Sequence, residues 1–252
     1  MGLHAVNSTV GVMLSGGLDS SILLAHLARE GRRIQPFYIQ SHLVWQSAEL
    51  RAVRRLLRAI SRSFRQIDRL VVLRLPLADL YENHWSMTGC RTPDAQTSDD
   101  AVYLPGRNAL LLVKPALWCQ LHGIRHLALG VLAANPFADA RPGFFESFQA
   151  AVNDGARPEL CVLRPFAGLT KREVMELGRG LPLHLTFSCI APVAGLHCGR
   201  CNKCGERRAA FRLADTPDPT AYAATPDREK VSGTSFGQAS PDAARFSAGE
   251  GS

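Results

Sequence analysis

Apolar positions change period along this chain, and the changes mark out alternating strands and helices. Val10-Gly11-Val12-Met13-Leu14 is a short continuous apolar run that halts at Ser15-Gly16-Gly17. Residues 20–29 follow with apolar side chains at Ile22, Leu23, Leu24, Leu27 and Ala28, so the pattern predicts a buried strand, a glycine turn and a helix. Residues 34–39 form a second apolar run. Leu50, Val53, Leu57, Ile60, Phe64 and Ile67 then recur at steps of three and four, the stripe of one long amphipathic helix, and residues 70–75 supply a third strand.

The alternation continues with a helix over 108–120, a strand over 126–132, a helix over 143–152 and a short strand over 161–163. Strands alternating with helices imply an α/β fold, a doubly wound parallel sheet with helices on both faces. Thr170-Lys171-Arg172-Glu173 has the spacing of a capping box, which starts a further helix reaching about Arg179. From Thr216 the composition turns to Pro, Ala, Ser, Gly, Thr and Asp, too poor in large aliphatics to offset ordering entropy by burial. Three segments are therefore expected: an α/β domain over 1–185, a C-terminal metal-binding segment over 186–213 and a disordered tail over 214–252.

Composition narrows the class. The 252 residues are 46% hydrophobic with a mean hydropathy of −0.03, ordinary for a soluble globular protein. Apolar stretches such as 109–113 and 127–134 fall well short of the roughly 20 residues of a membrane span, so no membrane partner is expected. Polar Asn7-Ser8 interrupts any secretory core, which points to a reducing cytoplasm where seven cysteines serve metal binding or reactivity. The net charge of +7 favours a phosphate-bearing substrate or partner without separating nucleotide from nucleic acid. Arg51, Arg54, Arg55, Arg58, Arg62, Arg65 and Arg69 lie mostly opposite the apolar stripe; a solvated face is the ordinary reading, an RNA or oligomer contact the other.

Ser15-Gly16-Gly17-Leu18-Asp19-Ser20 sits where the first strand becomes the first helix, at the carboxyl edge of a parallel sheet. Two glycines let backbone amides approach an anion, and the helix N-terminus with the hydroxyls of Ser15, Ser20 and Ser21 adds donors. The result is a cradle for pyrophosphate, without the Gly-Lys-Ser/Thr ending used for gamma-phosphoryl transfer. The plain alternative is a tight turn whose Asp and Ser cap the helix.

Cys189, Cys198, Cys201 and Cys204 have a spacing that gathers four thiolates around one tetrahedral Zn²⁺; with every position filled, the metal is structural. An iron–sulfur cluster is the rival. Cys90, Cys119 and Cys161 form no second pair and are expected as small buried hydrophobes. Pro105-Gly106-Arg107-Asn108 fixes a turn in which Asn108 caps the next helix and Arg107 either neutralises a phosphate or carboxylate or serves the cap.

Together, the glycine loop, Tyr38-Ile39-Gln40-Ser41-His42, Tyr103-Leu104-Pro105-Gly106-Arg107-Asn108, Lys171 and the four cysteines resemble the 7-cyano-7-deazaguanine synthase family of the PP-loop ATP pyrophosphatase superfamily, over about residues 10–211. The resemblance implies an enzyme that adenylates 7-carboxy-7-deazaguanine, lets ammonia displace AMP, then activates the amide with a second ATP and dehydrates it to the nitrile. It places ATP on Leu14, Ser15, Gly16, Gly17, Leu18, Asp19, Ser20, Ser21, Ile22, Leu23 and Leu24, with Asp19 beside Mg²⁺. Asp19, Ser20, Arg107 and Lys171 are the implied catalytic residues, Arg107 and Lys171 neutralising phosphate charge. Met1-Gly2 offers no glutaminase nucleophile, so free ammonia is the implied donor. Nucleic acid is not an expected partner, and a homodimer is compatible with the sequence.

The chain departs from the family where the acceptor is expected to bind. Asn135-Pro136-Phe137-Ala138-Asp139-Ala140-Arg141 keeps Asp139 and Arg141, the implied acceptor residues, but has Phe, Ala and Ala where the family has Tyr, Pro and Cys. The motif at residues 38–42 likewise lacks the usual Gly and Arg. A diverged relative acting on another carboxylate or a protein, a tRNA thiolase, and a non-catalytic nucleotide binder are the alternatives.

Overall fold

A computed structural model describes residues 8–223. Five strands form one sheet in the order β3-β2-β1-β4-β5. They are β1 (Thr9–Met13), β2 (Arg33–Gln40), β3 (Val71–Arg74), β4 (His126–Ala128) and β5 (Cys161–Leu163). Every neighbouring pair is parallel, with Val12 opposite Pro36 on one side and Ala128 on the other. The order runs outward in both directions from β1, so the β1/β4 boundary is where successive crossovers part to opposite sides, the place where open α/β sheets hold ligands.

The eight α-helices among the described residues are α1 (Leu18–Arg29), α2 (Gln46–Ile60), α3 (Ala78–Tyr81), α4 (Trp85–Thr88), α5 (Arg107–Leu121), α6 (Pro142–Gly155), α7 (Lys171–Leu177) and α8 (Asn202–Leu213). Alternation along β1 and β2 divides the core. Val10, Val12, Ile34 and Tyr38 pack with α1, α2, α7 and α8, while Phe37 and Leu127 pack with α5 and α6. Helices thus cover both faces, as the pattern predicts. Gly11 permits the α5 layer to close, because a Cβ there would lie 2.9 Å from both the Cys119 sulfur and the Phe37 ring. Fully buried Cys119 is the small hydrophobe expected of it.

Several expectations are corrected. Cys90 and Cys161 are exposed, because Cys90 lies in the turn after α4 and Cys161 opens edge strand β5. The α2 helix stops at Ile60, not at Ile67; Phe64 and Ile67 keep the apolar period because the turn that follows still packs them on the core. The strand expected over 126–132 ends at Ala128, and the chain leaves the sheet toward the glycine loop.

Residues 214–223, assigned by composition to a disordered tail, are packed. The Tyr222 hydroxyl donates to Asp218 at 2.6 Å, Arg207 Nε donates to Thr220 at 2.6 Å, and the Ala223 N–H donates to the His197 carbonyl at 2.8 Å. One tyrosine and a buried arginine supply the anchorage that the mean composition hides. The rest of the expected tail, 224–252, lies outside the described residues, as do Met1 and Gly2.

Candidate active site

The glycine loop leaves β1 at the switch point and turns directly into α1. Gly16 adopts φ +84°, and a Cβ there would meet the Val53 side chain at 2.9 Å, so conformation and space both require glycine. Gly17 is the N-cap of α1 and provides no side-chain cap, which leaves the first-turn amides available to an anion. The two hydroxyls of the motif brace the turn: Ser20 Oγ accepts from the Ser15 N–H at 3.2 Å and lies 3.1 Å from Ser15 Oγ. Gly130, just past β4, brings its backbone against the loop, since a Cβ would lie 3.2 Å from the Asp19 carbonyl.

Lys171 reaches the loop from the start of α7. Its Nζ donates to both carboxylate oxygens of Asp19 at 2.7 Å. The capping box fixes that approach: Thr170 Oγ1 accepts from the Glu173 N–H at 3.3 Å, and Glu173 accepts from the Thr170 N–H at 2.7 Å. Both members of the pair stay about one-third exposed, 28% for Asp19 and 32% for Lys171, and open onto a cavity of about 400 Å³.

Arg107, the first residue of α5, lines that cavity with its Nη1 buried and without a hydrogen-bond partner among the described residues. Burial pushes its guanidinium below the usual range, and the nearby Glu49 charge opposes this. Glu49, on the adjoining wall, accepts a 2.6 Å hydrogen bond from the Tyr38 hydroxyl. Burial raises its carboxyl to about 7, with Tyr38 and Arg107 pulling in the other direction. Desolvation and the same carboxylate push the Tyr38 phenol up, so it remains a donor.

The cavity is also lined by two stacked aromatic pairs, Trp45 on Trp85 with ring centroids 5.7 Å apart and Tyr103 on Phe137 at 5.2 Å. Such walls suit a flat heterocycle. Asp139 lies beside them, buried, with Oδ2 accepting from the Asn108 N–H at 2.9 Å; Asn108 returns a 2.8 Å bond to the Asp139 carbonyl. The carboxylate thus caps α5, in place of the Asn108 self-cap expected. Its Oδ1 is unengaged among the described residues. Arg141 is exposed at the N-cap of α6 and does not line the cavity.

The four cysteines form a separate, closed centre. Their sulfurs all lie within 4.8 Å of one another, with Cys189 to Cys201 at 3.8 Å and Cys198 to Cys204 at 3.9 Å. A tetrahedral site with metal–sulfur bonds of about 2.3 Å has sulfur–sulfur edges of about 3.8 Å, so the cluster fits a metal of that kind. Backbone N–H groups of Ala191, Cys198, Arg200 and Cys201 donate to the sulfurs at 3.2–3.4 Å. Sulfur–sulfur hydrogen bonding within the cluster holds the Cys201 thiol below its usual range and pushes those of Cys189 and Cys204 up. Asn202 ties this segment to the loop before Val102 through bonds to Pro93 and Thr97, and Phe187 and Ile190 from the same region line the cavity.

The structure therefore brings Leu14, Ser15, Gly17, Leu18, Asp19, Ser20, Arg107, Lys171 and Asp139 to one cavity; Arg141 lies outside it, and Ile22, Leu23 and Leu24, expected to hold ATP, are buried in the core because they form the apolar face of α1. Sequence reasoning missed Glu49 and the aromatic walls. The signal for Glu49 was present: it lies among Ala48, Ala52, Val53 and Leu56 on the buried face of α2, where an acidic residue has no packing reason to be.

The family model for queuosine biosynthesis protein QueC matches residues 9–215, from β1 through the end of α8. The chain belongs to this family. Among QueC relatives, the 7-cyano-7-deazaguanine synthase of Nitrosomonas europaea is 32% identical over 226 residues, covering 84% of this chain and 95% of the relative. That of Thiobacillus denitrificans is 33% identical over 229 residues, covering 84% and 97%. An Anaeromyxobacter protein of the same name is 33% identical over 224 residues, covering 84% and 94%. A solved 4-thiouridine synthetase in complex with RNA and ATP superposes with a TM-score of 0.45 at 17% identity, covering 82% of this chain and 50% of that one.

Proposed function

We propose that this QueC-family chain is an ATP-dependent ligase that converts 7-carboxy-7-deazaguanine and ammonia to 7-cyano-7-deazaguanine. The name shared by the relatives supports the substrate class. The observation that carries the chemistry is the uncapped α1 terminus, which, with the Asp19–Lys171 pair, opens onto the same cavity as Arg107 and the aromatic walls.

The glycine loop would hold ATP through residues 14–20, its amides meeting the pyrophosphate where negative charge grows as the alpha-phosphorus is attacked. Asp19, whose oxygens both accept from Lys171, would hold the Mg²⁺ that accompanies ATP once Lys171 turns to the phosphates, and Arg107 would meet carboxylate charge. Bound Mg²⁺ supplies charge neutralisation at the phosphates. The acceptor carboxylate attacks the alpha-phosphorus and pyrophosphate leaves; ammonia then forms the C–N bond as AMP departs. The amide oxygen is adenylated in turn as a second pyrophosphate and one N–H proton leave, and loss of the second AMP with the remaining N–H proton leaves the nitrile. Trp45, Trp85, Tyr103 and Phe137 would sandwich the deazaguanine ring, with Asp139 Oδ1 accepting from its N–H groups.

Cys189, Cys198, Cys201 and Cys204 would hold structural zinc, which supplies folding energy and no catalytic position. No helix among the described residues is long and apolar enough to cross a membrane, which is compatible with a cytoplasmic enzyme. Purified protein given ATP, Mg²⁺, ammonia and 7-carboxy-7-deazaguanine is expected to release AMP and pyrophosphate. ADP and phosphate as products would overturn the reading.

A further inference from the structure

We infer that Glu49 is the proton acceptor for the incoming nitrogen, a catalytic residue that receives the proton shed as the C–N bond forms on the adenylated carboxylate. The inference rests on the ligase reading above and extends it to a residue that neither the glycine loop nor the cysteine spacing singles out.

Three observations converge on it. Glu49 borders the glycine loop: a Cβ on Gly16 would lie 3.4 Å from Glu49 Cγ, so the carboxylate stands next to the segment that holds the phosphates. The Tyr38 hydroxyl engages one oxygen, Oε2, at 2.6 Å, which orients the group and leaves Oε1 unengaged among the described residues. The third is Arg107, which lines the same cavity with a buried Nη1 that lacks a partner among the described residues and would meet the acyl oxygen of the acceptor. An acyl carbon held by Arg107 is thereby brought to the wall that carries Glu49.

The proton balance explains why a base belongs there. Attack by NH₃ on the acyl adenylate gives a tetrahedral adduct carrying N⁺–H; the C–N bond has formed, and the C–O bond to AMP breaks as that proton passes to Glu49. Glu49 then gives that proton to water, the amide sheds a second N–H proton to water as its oxygen is adenylated, and the imidate adenylate finally loses AMP and its last N–H proton together, which the regenerated carboxylate is in position to take. A carboxyl raised to about 7 is still substantially ionised at neutral pH and is a stronger base than an ordinary carboxylate. The groups bearing on it are Tyr38 from β2 and Arg107 from α5, with Asp19, Lys171, Lys203 and Glu206 lining the same cavity.

The test uses the full chain with its metal and compares two half-reactions. Exchange of labelled pyrophosphate into ATP, driven by 7-carboxy-7-deazaguanine without ammonia, reports adenylation; amide formation at a fixed concentration of free NH₃ reports nitrogen transfer. Glu49→Gln, which keeps the shape and an acceptor for Tyr38, is expected to lower the ratio of amide formation to exchange by roughly 100-fold or more, the range general bases contribute. Hydroxylamine should restore most of that ratio, because its adduct is more acidic and sheds its proton to water. The wild-type rate of amide formation should rise with pH through about 7 and then level, and this limb should vanish in Glu49→Gln.

An unchanged ratio in Glu49→Gln, or equal loss of both half-reactions without hydroxylamine rescue, would overturn the assignment while leaving the ligase reading intact. Wild-type protein silent in exchange would overturn both.

Discussion

The glycine loop and the cysteine cluster are both built from backbone amides aimed at negative charge, yet one is open and the other closed. At α1 the first-turn amides have no side-chain cap, and Asp19 and Lys171 remain partly exposed beside a cavity. At residues 189–204 the amides already donate to sulfur, all four cysteines are buried, and Asn202 pins the segment to the chain before Val102. The difference separates two uses of one device. Amides left free suit an anion that arrives and departs, whereas amides already committed suit a charge that stays for the life of the fold.

Breaking the closed centre should have the largest effect. Cys201→Ser leaves three thiolates and a weaker ligand, and is expected to cost at least about 3 kcal/mol of stability, because a metal held by four thiolates would contribute folding energy. Thermal melting with metal analysis checks this: the expected outcome is one metal per wild-type chain, less in the variant, and a melting temperature lower by about 6–12 °C. Wild-type melting with lost turnover would instead make the metal catalytic.

The open centre should respond in the opposite sense. Lys171→Ala removes a partly exposed ion pair worth at most about 1 kcal/mol to stability, so melting should barely change. Turnover should fall by about 100- to 1000-fold, the usual loss when one preorganised partner of transition-state charge is removed. Steady-state kinetics beside a melting curve separates the two effects.

Gly16→Ala sharpens the comparison by adding one methyl group to the loop. With φ at +84° and Val53 2.9 Å away, it should cost about 1–3 kcal/mol and weaken ATP binding, read by melting with and without ATP.

The smallest effect belongs to Asp139→Asn. The substitution replaces a charged acceptor for the Asn108 N–H with a neutral one, at a cost of about 1 kcal/mol. The KM for the acceptor should rise while that for ATP stays near wild type; unchanged kinetics for both would confine Asp139 to capping α5.

How much of this was legible in the sequence follows from how local each feature is. The loop at residues 15–20 and the cysteine spacing compress their chemistry into short segments, so residue types at fixed spacing sufficed. Strand alternation likewise led to the parallel sheet, because buried strands and amphipathic helices differ in period. The Tyr38–Glu49 bond joins β2 to α2, and the aromatic walls join positions 45 and 85 or 103 and 137; nothing along the chain announces such meetings. Asp139 and Arg141 show the converse. Two residues apart in one short turn, they are placed differently, the carboxylate at the cavity and the guanidinium in solvent. The packed stretch over 216–223 escaped because composition averages over a window, while Tyr222 and Arg207 act as single anchors.

The central claim is that the open loop serves transfer of the adenylyl group onto the acceptor carboxylate. It is tested most directly with 7-carboxy-7-deazaguanine carrying ¹⁸O in that carboxylate, incubated with ATP, Mg²⁺ and ammonia, followed by mass analysis of every phosphate product. Each activation hands one carboxylate oxygen to the departing AMP, so the label should appear in AMP, with pyrophosphate and the nitrile unlabelled. Label in inorganic phosphate, or AMP without label, would contradict the account.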